Sequence, residues 1–280
     1  MAIKDILLPL VGEPGEAARA AVYKCVAICG DFGARVTAIA VEEDIAVRPT
    51  VLISSDLDNA AVAEAVRSVT DAEGFLRIFD GAAASFGVRS EKDLRRLASS
   101  EIAATIAAAA RLRDLSLVPV KSHHSFSEQL VERLLFESGR PIVLCPEDLA
   151  AELPLLLDDV LIAWDGSAPA ARAVGDALPI LKAAEKVRIV TATDNATAEE
   201  LRSGGALSEH FAEHGIKATF ETVAIDGSSI GKVLEAHVRA NRVDLLVMGA
   251  YHHSRLNEII WGGVTKTIIG QPPCWVMMSR

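Results

Sequence analysis

The chain of 280 residues is long enough for two domains of about 140 residues, each with a core of its own. A formal net charge of -10 and an aromatic content of 5% argue against nucleic-acid binding, because phosphate backbones attract basic patches and unpaired bases stack on aromatic side chains. The apolar stretches are shorter than the ~20 residues that cross a bilayer, and the N-terminus lacks an export signal. We therefore expect a cytoplasmic protein without membrane contact.

The first half opens with an apolar run, residues 4–13, whose pattern predicts a strand before a helix. That helix would carry Cys25 and Cys29 one turn apart, and the Ala-rich stretch 102–112 predicts a second, buried helix. Because the four cysteines include no CxxC pair, we expect them to be buried thiols in a reducing compartment.

The second half repeats the pattern of the first. Three strand-like segments recur in the same order, and the matching pairs are residues 4–13 and 158–167, 113–119 and 243–249, and 139–146 and 271–278. Such self-similarity predicts a tandem duplication. Pro146 and Pro154 bracket an acidic stretch at the joint, so we predict one domain at residues 1–148 and another at 156–280.

Strand and helix patterns alternate through the second half. The predicted strands are residues 160–164, 187–192, 217–223, 243–248 and 274–278. This alternation requires a parallel sheet with helices on both faces, since parallel neighbours need crossovers of about a helix in length. We predict an α/β chain of two doubly wound domains, whose ligands bind at the carboxyl ends of the strands.

The segment most informative about function is residues 249–267, where glycines follow the apolar run VDLLVM and precede a helical pattern. Backbone N–H groups at a helix N-terminus have no partner within the helix and lie at the positive end of its dipole. Glycines there let an anion approach the backbone, so the segment predicts a phosphate-binding loop.

This segment resembles the nucleotide loop of universal stress protein domains, whose ATP-binding members carry Gly, two residues, Gly, nine residues, Gly, then Ser or Thr. Gly249 and Gly262 match the first and third glycines, whereas His252 stands at the second and Gly263 at the hydroxyl position. The resemblance implies a Rossmann-like fold similar to the adenine nucleotide alpha hydrolases, with a five-stranded parallel sheet in each domain.

The resemblance also implies a site for ATP or a related adenine nucleotide in the second half. Asp165 matches the aspartate that contacts the nucleoside, and the backbone of Thr191 and Ala192 would meet the adenine edge. The other residues expected at the nucleotide site are Met248, Gly249, His252, Gly262, Gly263, Val264 and Thr265, the last four forming the phosphate cradle. Among them, Thr265 is the candidate substitute for the missing hydroxyl.

Structural roles compete with these assignments. Asp165 and Ser167 could cap the next helix, and Gly262 and Gly263 could serve only the turn and the helix start. His252 either blocks the phosphates or, when protonated, binds them.

The first half departs further from the loop pattern. Val11 stands where Asp165 does, Pro119 stands where Gly249 does, and residues 130–133 replace the glycine segment. We expect this half to have lost the nucleotide site. The resemblance implies that the halves pair through their last strands, with Cys145 and Cys274 in those strands, as an internal pseudo-dimer; a homodimer of the whole chain is a further expectation.

Other motifs in the sequence suggest different functions. His pairs follow the fourth strand of both halves, at His123 and His252, but adjacent residues on a strand end point apart, so we interpret them as solvated loop histidines rather than metal ligands. GSSIG around Ser229 fits a nucleophile elbow, with Asp244 and His252 following, but Ser229 also suits a helix N-cap. Walker A and GxGxxG loops are missing from the sequence, which argues against motor ATPases and dinucleotide enzymes.

Two functional hypotheses remain. In the first, a cytosolic universal stress protein binds an adenine nucleotide as a conformational signal, with at most slow ATP hydrolysis, since the sequence offers no general base and no catalytic residue. In the second, the chain is a nucleotide-independent scaffold that inherited its glycine loop.

Overall fold

The computed structural model describes residues 2–45, 56–153, 157–250, 252–255, 258–261 and 263–280. Strands and helices alternate in the first half as the sequence predicts. The strands are β1 (Asp5–Leu10), β2 (Arg35–Glu43), β3 (Ser90–Leu97), β4 (Leu115–Val120) and β5 (Ile142–Pro146). The helices are α1 (Glu16–Asp31), α2 (Asp56–Phe86), α3 (Ser99–Ala110) and α4 (Ser125–Glu137), and a short 3-10 turn covers Glu147–Leu149.

The second half follows the same order. Its strands are β6 (Asp159–Ala163), β7 (Lys186–Ala192), β8 (Ala218–Val223), β9 (Leu245–Gly249), β10 (His252–Arg255), β11 (Glu258–Trp261) and β12 (Trp275–Ser279). Its helices are α5 (Ala168–Leu181), α6 (Ala198–Glu213), α7 (Ile230–Asn241) and α8 (Gly263–Gly270). The predicted strands are therefore found within one or two residues of their expected limits.

A single sheet of ten strands runs through both halves in the order β3-β2-β1-β4-β5-β12-β9-β6-β7-β8. Each half contributes five strands that are parallel to one another, and the order in the second half mirrors the order in the first. Where the halves meet, β12 pairs antiparallel with β5, with Val276 opposite Leu144 and Met278 opposite Ile142. The predicted α/β, doubly wound architecture is confirmed, while the domain limits 1–148 and 156–280 stay a prediction.

Two apolar layers cover the faces of this sheet. Alternate residues of β12 enter different layers, Trp275 and Met277 on one face and Val276 and Met278 on the other. Both layers contain residues from both halves, and Trp275 is fully buried. The core is therefore continuous across the junction, and the burial of these side chains stabilises both halves together.

Two equivalent aspartates clamp the amino edges of the sheet. The Asp114 carboxylate accepts hydrogen bonds from the backbone N–H groups of Lys4 and Asp5, at 2.8 and 3.1 Å. Asp244 does the same in the second half, accepting from Asp158 and Asp159 at 3.2 and 2.8 Å. The repeated Asp before the fourth strand thus holds the start of the first strand in each half.

The cysteines behave as expected. All four lie among the described residues and are buried free thiols. Burial raises the pKa of Cys25 and of Cys29 well above the usual value, which disfavours the reactive thiolate. Cys145 lies in β5, but Cys274 directly precedes β12 instead of lying within it.

One segment differs from the sequence prediction. His252 and His253, expected in an open loop, belong to β10, which pairs antiparallel with β11 as a separate two-stranded sheet. Strands of four residues are too short to show a periodic pattern, and for this reason the hairpin escaped prediction. Among the described residues, no helix combines the length and hydropathy needed to cross a lipid bilayer.

Two neighbouring glycines of α6 give a matched test of this packing. A Cβ on Gly204 would lie 2.2 Å from the Phe220 ring, whereas a Cβ on Gly205 would meet nothing within 4 Å. We expect Gly204→Ala to lower the free energy of unfolding by about 1–3 kcal/mol through overpacking, and Gly205→Ala to raise it by about 0.5–1 kcal/mol through helix propensity. Urea unfolding monitored by circular dichroism measures both; equal effects would contradict the packing of α6 on β8.

The aspartate clamp is tested by Asp244→Ala, which leaves the N–H groups of Asp158 and Asp159 without their acceptor. We expect a loss of about 1–3 kcal/mol in the free energy of unfolding. Asp244→Asn keeps an amide oxygen as acceptor and should lose less, and Glu209→Ala, on the exposed face of α6, should stay within about 0.5 kcal/mol of the parent chain. An unchanged stability in Asp244→Ala would show that the clamp is dispensable.

Candidate functional site

A cavity of about 440 Å³ opens at the carboxyl ends of β6, β7 and β9, where the strand order of the second half reverses. Its size is typical of small-ligand sites, and its position is the one that doubly wound sheets use for ligands. The predicted site residues that line it are Asp165, Thr191, Ala192, Met248, Gly249, Gly263, Val264 and Thr265. The side chain of His252 and the whole of Gly262 lie outside the described residues.

Asp165 stands directly beyond the end of β6 and before α5. Its carboxylate accepts a hydrogen bond from the backbone N–H of Ser167 at 3.0 Å, and the Ser167 hydroxyl accepts from the Ala170 N–H as the N-cap of α5. The capping interpretation is therefore confirmed for Ser167, and Asp165 forms the turn that precedes the cap. Because Asp165 is exposed and lines the cavity, this structural role leaves it accessible to a ligand.

Gly249 has a packing role at the end of β9. A Cβ at this position would lie 2.5 Å from the Ala170 nitrogen and 2.6 Å from the Pro169 carbonyl carbon. No side chain fits between β9 and the start of α5, so the glycine allows the helix to approach the strand end. This close approach brings Asp165 and the end of β9 to the same cavity.

The start of α8 forms one wall of the cavity through Gly263, Val264 and Thr265. Among the described residues, a Cβ on Gly263 would meet nothing within 4 Å, so these residues leave space beside the first residue of the helix. Thr265 is buried, with 1% of its surface exposed. The first N–H groups of an α-helix lack intrahelical acceptors, which makes this wall suitable for an anion.

Contacts with both halves hold α8 in place. A Cβ at Gly231 of α7 would lie 2.8 Å from Cβ of Thr267, in the middle of α8, which shows how closely the two helices pack. At the C-terminal end, the backbone N–H of His123, from the first half, donates to the Gly270 carbonyl at 2.8 Å. The helix therefore touches the cavity of its own half with its N-terminus and the other half with its C-terminus.

The cavity also contains residues that the sequence did not indicate. Trp164, Glu200, Ile230 and Leu234 all line the cavity. The indole N–H of Trp164 donates to the Ser203 hydroxyl at 3.0 Å, which orients the ring. Trp164 immediately precedes Asp165 in the sequence, and this position was a usable signal; the other three reach the cavity from helices, and only their packing reveals it.

Glu200 is held by the start of α6. It completes a capping box in which its carboxylate accepts from the Thr197 backbone N–H at 2.8 Å and from the Thr197 hydroxyl at 2.9 Å. These hydrogen bonds lower the pKa of Glu200, so the group is anionic at neutral pH. A smaller cavity of about 290 Å³ adjoins here and shares Trp164, Asp165 and Thr191 with the first.

Hydrogen bonds join the ends of β6 and β7 beside the cavity. The Thr191 hydroxyl donates to the Trp164 carbonyl at 2.8 Å, and the Trp164 N–H donates to the Val190 carbonyl at 2.9 Å. The Thr191 side chain is therefore engaged within the protein. Its contribution to a ligand would come from backbone groups, as the family resemblance implies.

Two of the alternative motifs have structural roles. The Ser229 hydroxyl accepts from the Lys232 N–H as the N-cap of α7, whereas Asp244 lies before β9 at the amino edge of the sheet, so the two cannot form a hydrolase triad. His124 is the N-cap of α4, its Nδ1 accepting from the Ser127 N–H. Within the described part of the chain, no cluster of His, Cys, Asp or Glu side chains could hold a metal ion.

Comparisons with known proteins support the family resemblance. The profile described as "Universal stress protein family" matches residues 157–280. No curated protein matches the chain in sequence. A solved universal stress protein from Archaeoglobus fulgidus DSM 4304 is similar in structure, with a TM-score of 0.67 at 17% sequence identity over 99% of this chain and 98% of that one.

A candidate universal stress protein from Pseudomonas aeruginosa UCBPP-PA14 is similar with a TM-score of 0.59 at 14% identity, over 99% of this chain and 93% of that one. At these identities the solved structures show the fold alone, and they share it along both halves. The family assignment rests on the sequence match in the second half. The second half, residues 157–280, is therefore a domain of the universal stress protein family.

Proposed function

We propose that the second half binds ATP or a related adenine nucleotide in the cavity between β6, β7, β9 and α8. The observation that carries the proposal is the convergence of Asp165, the ends of β7 and β9, and the N-terminus of α8 on one cavity of about 440 Å³. Family membership supports a stress-response role, and within it the nucleotide would act as a signal.

Each wall matches one part of a nucleotide. The N–H groups at the start of α8 would donate hydrogen bonds to the phosphates, and the open space beside Gly263 lets the phosphates approach the backbone. Asp165 would accept hydrogen bonds from the nucleoside, and the backbone at Thr191 and Ala192 would meet the adenine edge. Ile230 and Leu234 supply an apolar surface for the base.

The carboxylates at the cavity are poorly suited to catalysis. Asp165 accepts from the Ser167 N–H, and Glu200 is engaged in its capping box. A general base for hydrolysis needs a carboxylate or imidazole that is free to take a proton from water. We therefore propose a binding protein with at most slow hydrolysis, acting in the cytoplasm, in which nucleotide occupancy changes the surface offered to partners.

One observation favours the alternative, a scaffold that binds no nucleotide. Gly249 is explained by its packing against Pro169 and Ala170, and Asp165 by its turn, so both residues have reasons to persist without a ligand. Calorimetric titration of the full chain with ATP separates the two functions. Micromolar binding supports the nucleotide site, and no heat at two temperatures supports the scaffold.

Asp165→Asn separates ligand binding from turn formation. The asparagine oxygen can still accept from the Ser167 N–H, so stability should change by less than about 0.5 kcal/mol, while ATP affinity should fall about tenfold because a charged acceptor is lost. Asp194→Asn is the matched control, since Asp194 accepts from the N–H groups of Ile225 and Asp226 and does not line the cavity. Equal affinities in both variants would limit Asp165 to its structural role.

Gly263→Val tests the phosphate wall. The protein has room for the added side chain, but its methyl groups would stand where the phosphates approach α8. We expect the binding free energy of ATP to weaken by about 1–3 kcal/mol, equivalent to a roughly 5-fold to 150-fold loss of affinity, with adenosine affinity nearly unchanged. Gly205→Val, in open space on α6, is the control. Equal losses of affinity for ATP and for adenosine would show that the substitution does not act at the phosphates.

A further inference from the structure

The first half contains a cavity of its own, of about 430 Å³, at the place equivalent to the candidate nucleotide site. It opens at the carboxyl ends of β1 and β4, where the strand order of this half reverses. Doubly wound sheets bind ligands at such reversals. The glycine loop is missing here, because α4 begins at Ser125, shortly after β4, and residues 130–133 lie inside that helix.

The walls of this first-half cavity are apolar and partly aromatic. Leu10 lies at its base from the end of β1, Phe75 reaches it from α2, and Phe126 and Leu130 reach it from α4. Phe75 and Leu130 are buried in the core, so this wall is fixed by packing. The surface suits an apolar body, and an aromatic ring also attracts a cation to its face.

The polar groups of the first-half cavity are mostly acidic. Glu13 and Glu16 lie at its exposed rim, and Glu147 and Asp148 lie on the turn after β5. Lys121 is the basic side chain that opposes these carboxylates. The balance is therefore negative, which repels the phosphates of a nucleotide and attracts a cation.

His124 is the histidine at this cavity, and it caps α4. Its Nδ1 atom accepts a hydrogen bond from the backbone N–H of Ser127 at 3.4 Å.

Glu147 is the carboxylate best placed to pair with a ligand. It is half-buried, and it makes no hydrogen bond or ion pair through its side chain with any residue that the structure describes. Burial raises its pKa, with a further contribution from the Asp148 charge, and Lys121 opposes this shift. A partly desolvated carboxylate without a close partner gains from a cation brought to it. Asp148, by contrast, already accepts from the Ser122 N–H at 3.2 Å.

We propose that the first-half cavity binds a small organic cation, with an ammonium group paired to Glu147 and an apolar body against Phe75, Phe126 and Leu130. The chain would then carry two sites of opposite ligand charge, one at each strand-order reversal. This inference does not depend on nucleotide binding in the second half, since the two cavities share no residue.

The test uses the full chain and three probes of one shape: phenethylammonium, the neutral 2-phenylethanol and the anionic phenylacetate. Binding is followed by chemical-shift titration at neutral pH and low ionic strength. We expect phenethylammonium to bind about tenfold more tightly than 2-phenylethanol, with no binding of phenylacetate, because the hydrogen bond to a charged partner is the added interaction. Equal binding of the cation and the alcohol would overturn the proposal, as would no binding of the cation.

Glu147→Gln identifies the partner of the ammonium group. This variant should bind phenethylammonium no more tightly than 2-phenylethanol. Glu152→Gln, at an exposed neighbour outside the cavity, should still bind phenethylammonium more tightly than the alcohol. An unchanged thermal midpoint in both variants verifies folding. A preference for the cation that is retained in Glu147→Gln would overturn the assignment of Glu147. Competition between phenethylammonium and ATP would show that the cation binds in the second-half cavity instead, and would overturn the proposal.

Discussion

The antiparallel pairing of β5 with β12 is the contact on which the whole arrangement depends. It joins two five-stranded parallel sheets into one sheet of ten strands and leaves neither last strand as an open edge. Unpaired strand edges present free N–H and C=O groups that invite association with other chains. Side chains on both faces of the junction are buried, Trp275 among them, so the pairing is supported by packing as well as by hydrogen bonds.

The direction of that pairing fixes where the two cavities lie. Strands within each half are parallel, but the halves run in opposite directions across the junction. The carboxyl ends of the first-half strands therefore lie at one edge of the sheet, and those of the second half lie at the opposite edge. The two cavities, one in each half, consequently open at opposite edges of one sheet.

Helix α8 connects these two edges. Its N-terminus lines the second-half cavity at Gly263, and its last carbonyl, at Gly270, accepts a hydrogen bond from His123 of the first half. His123 is followed by His124, the N-cap of α4, which lines the first-half cavity. A direct series of contacts thus runs from one cavity to the other.

The sequence by itself determined the fold class, the duplication and most of the second-half strands, because local sequence patterns predict these features. The patterns are apolar runs of strand length, glycines at strand ends and the recurrence of three segments. It also indicated Asp165, Gly249 and Gly263 for the cavity, since each follows a strand or begins a helix. Tertiary structure alone decided that Glu200, Ile230 and Leu234 share that cavity and that Gly249 gives α5 room to approach β9. It also decided that the first half keeps a cavity with apolar walls and carboxylates around them. These facts depend on which helix faces which strand end, and contacts between residues distant in sequence leave no local pattern to read.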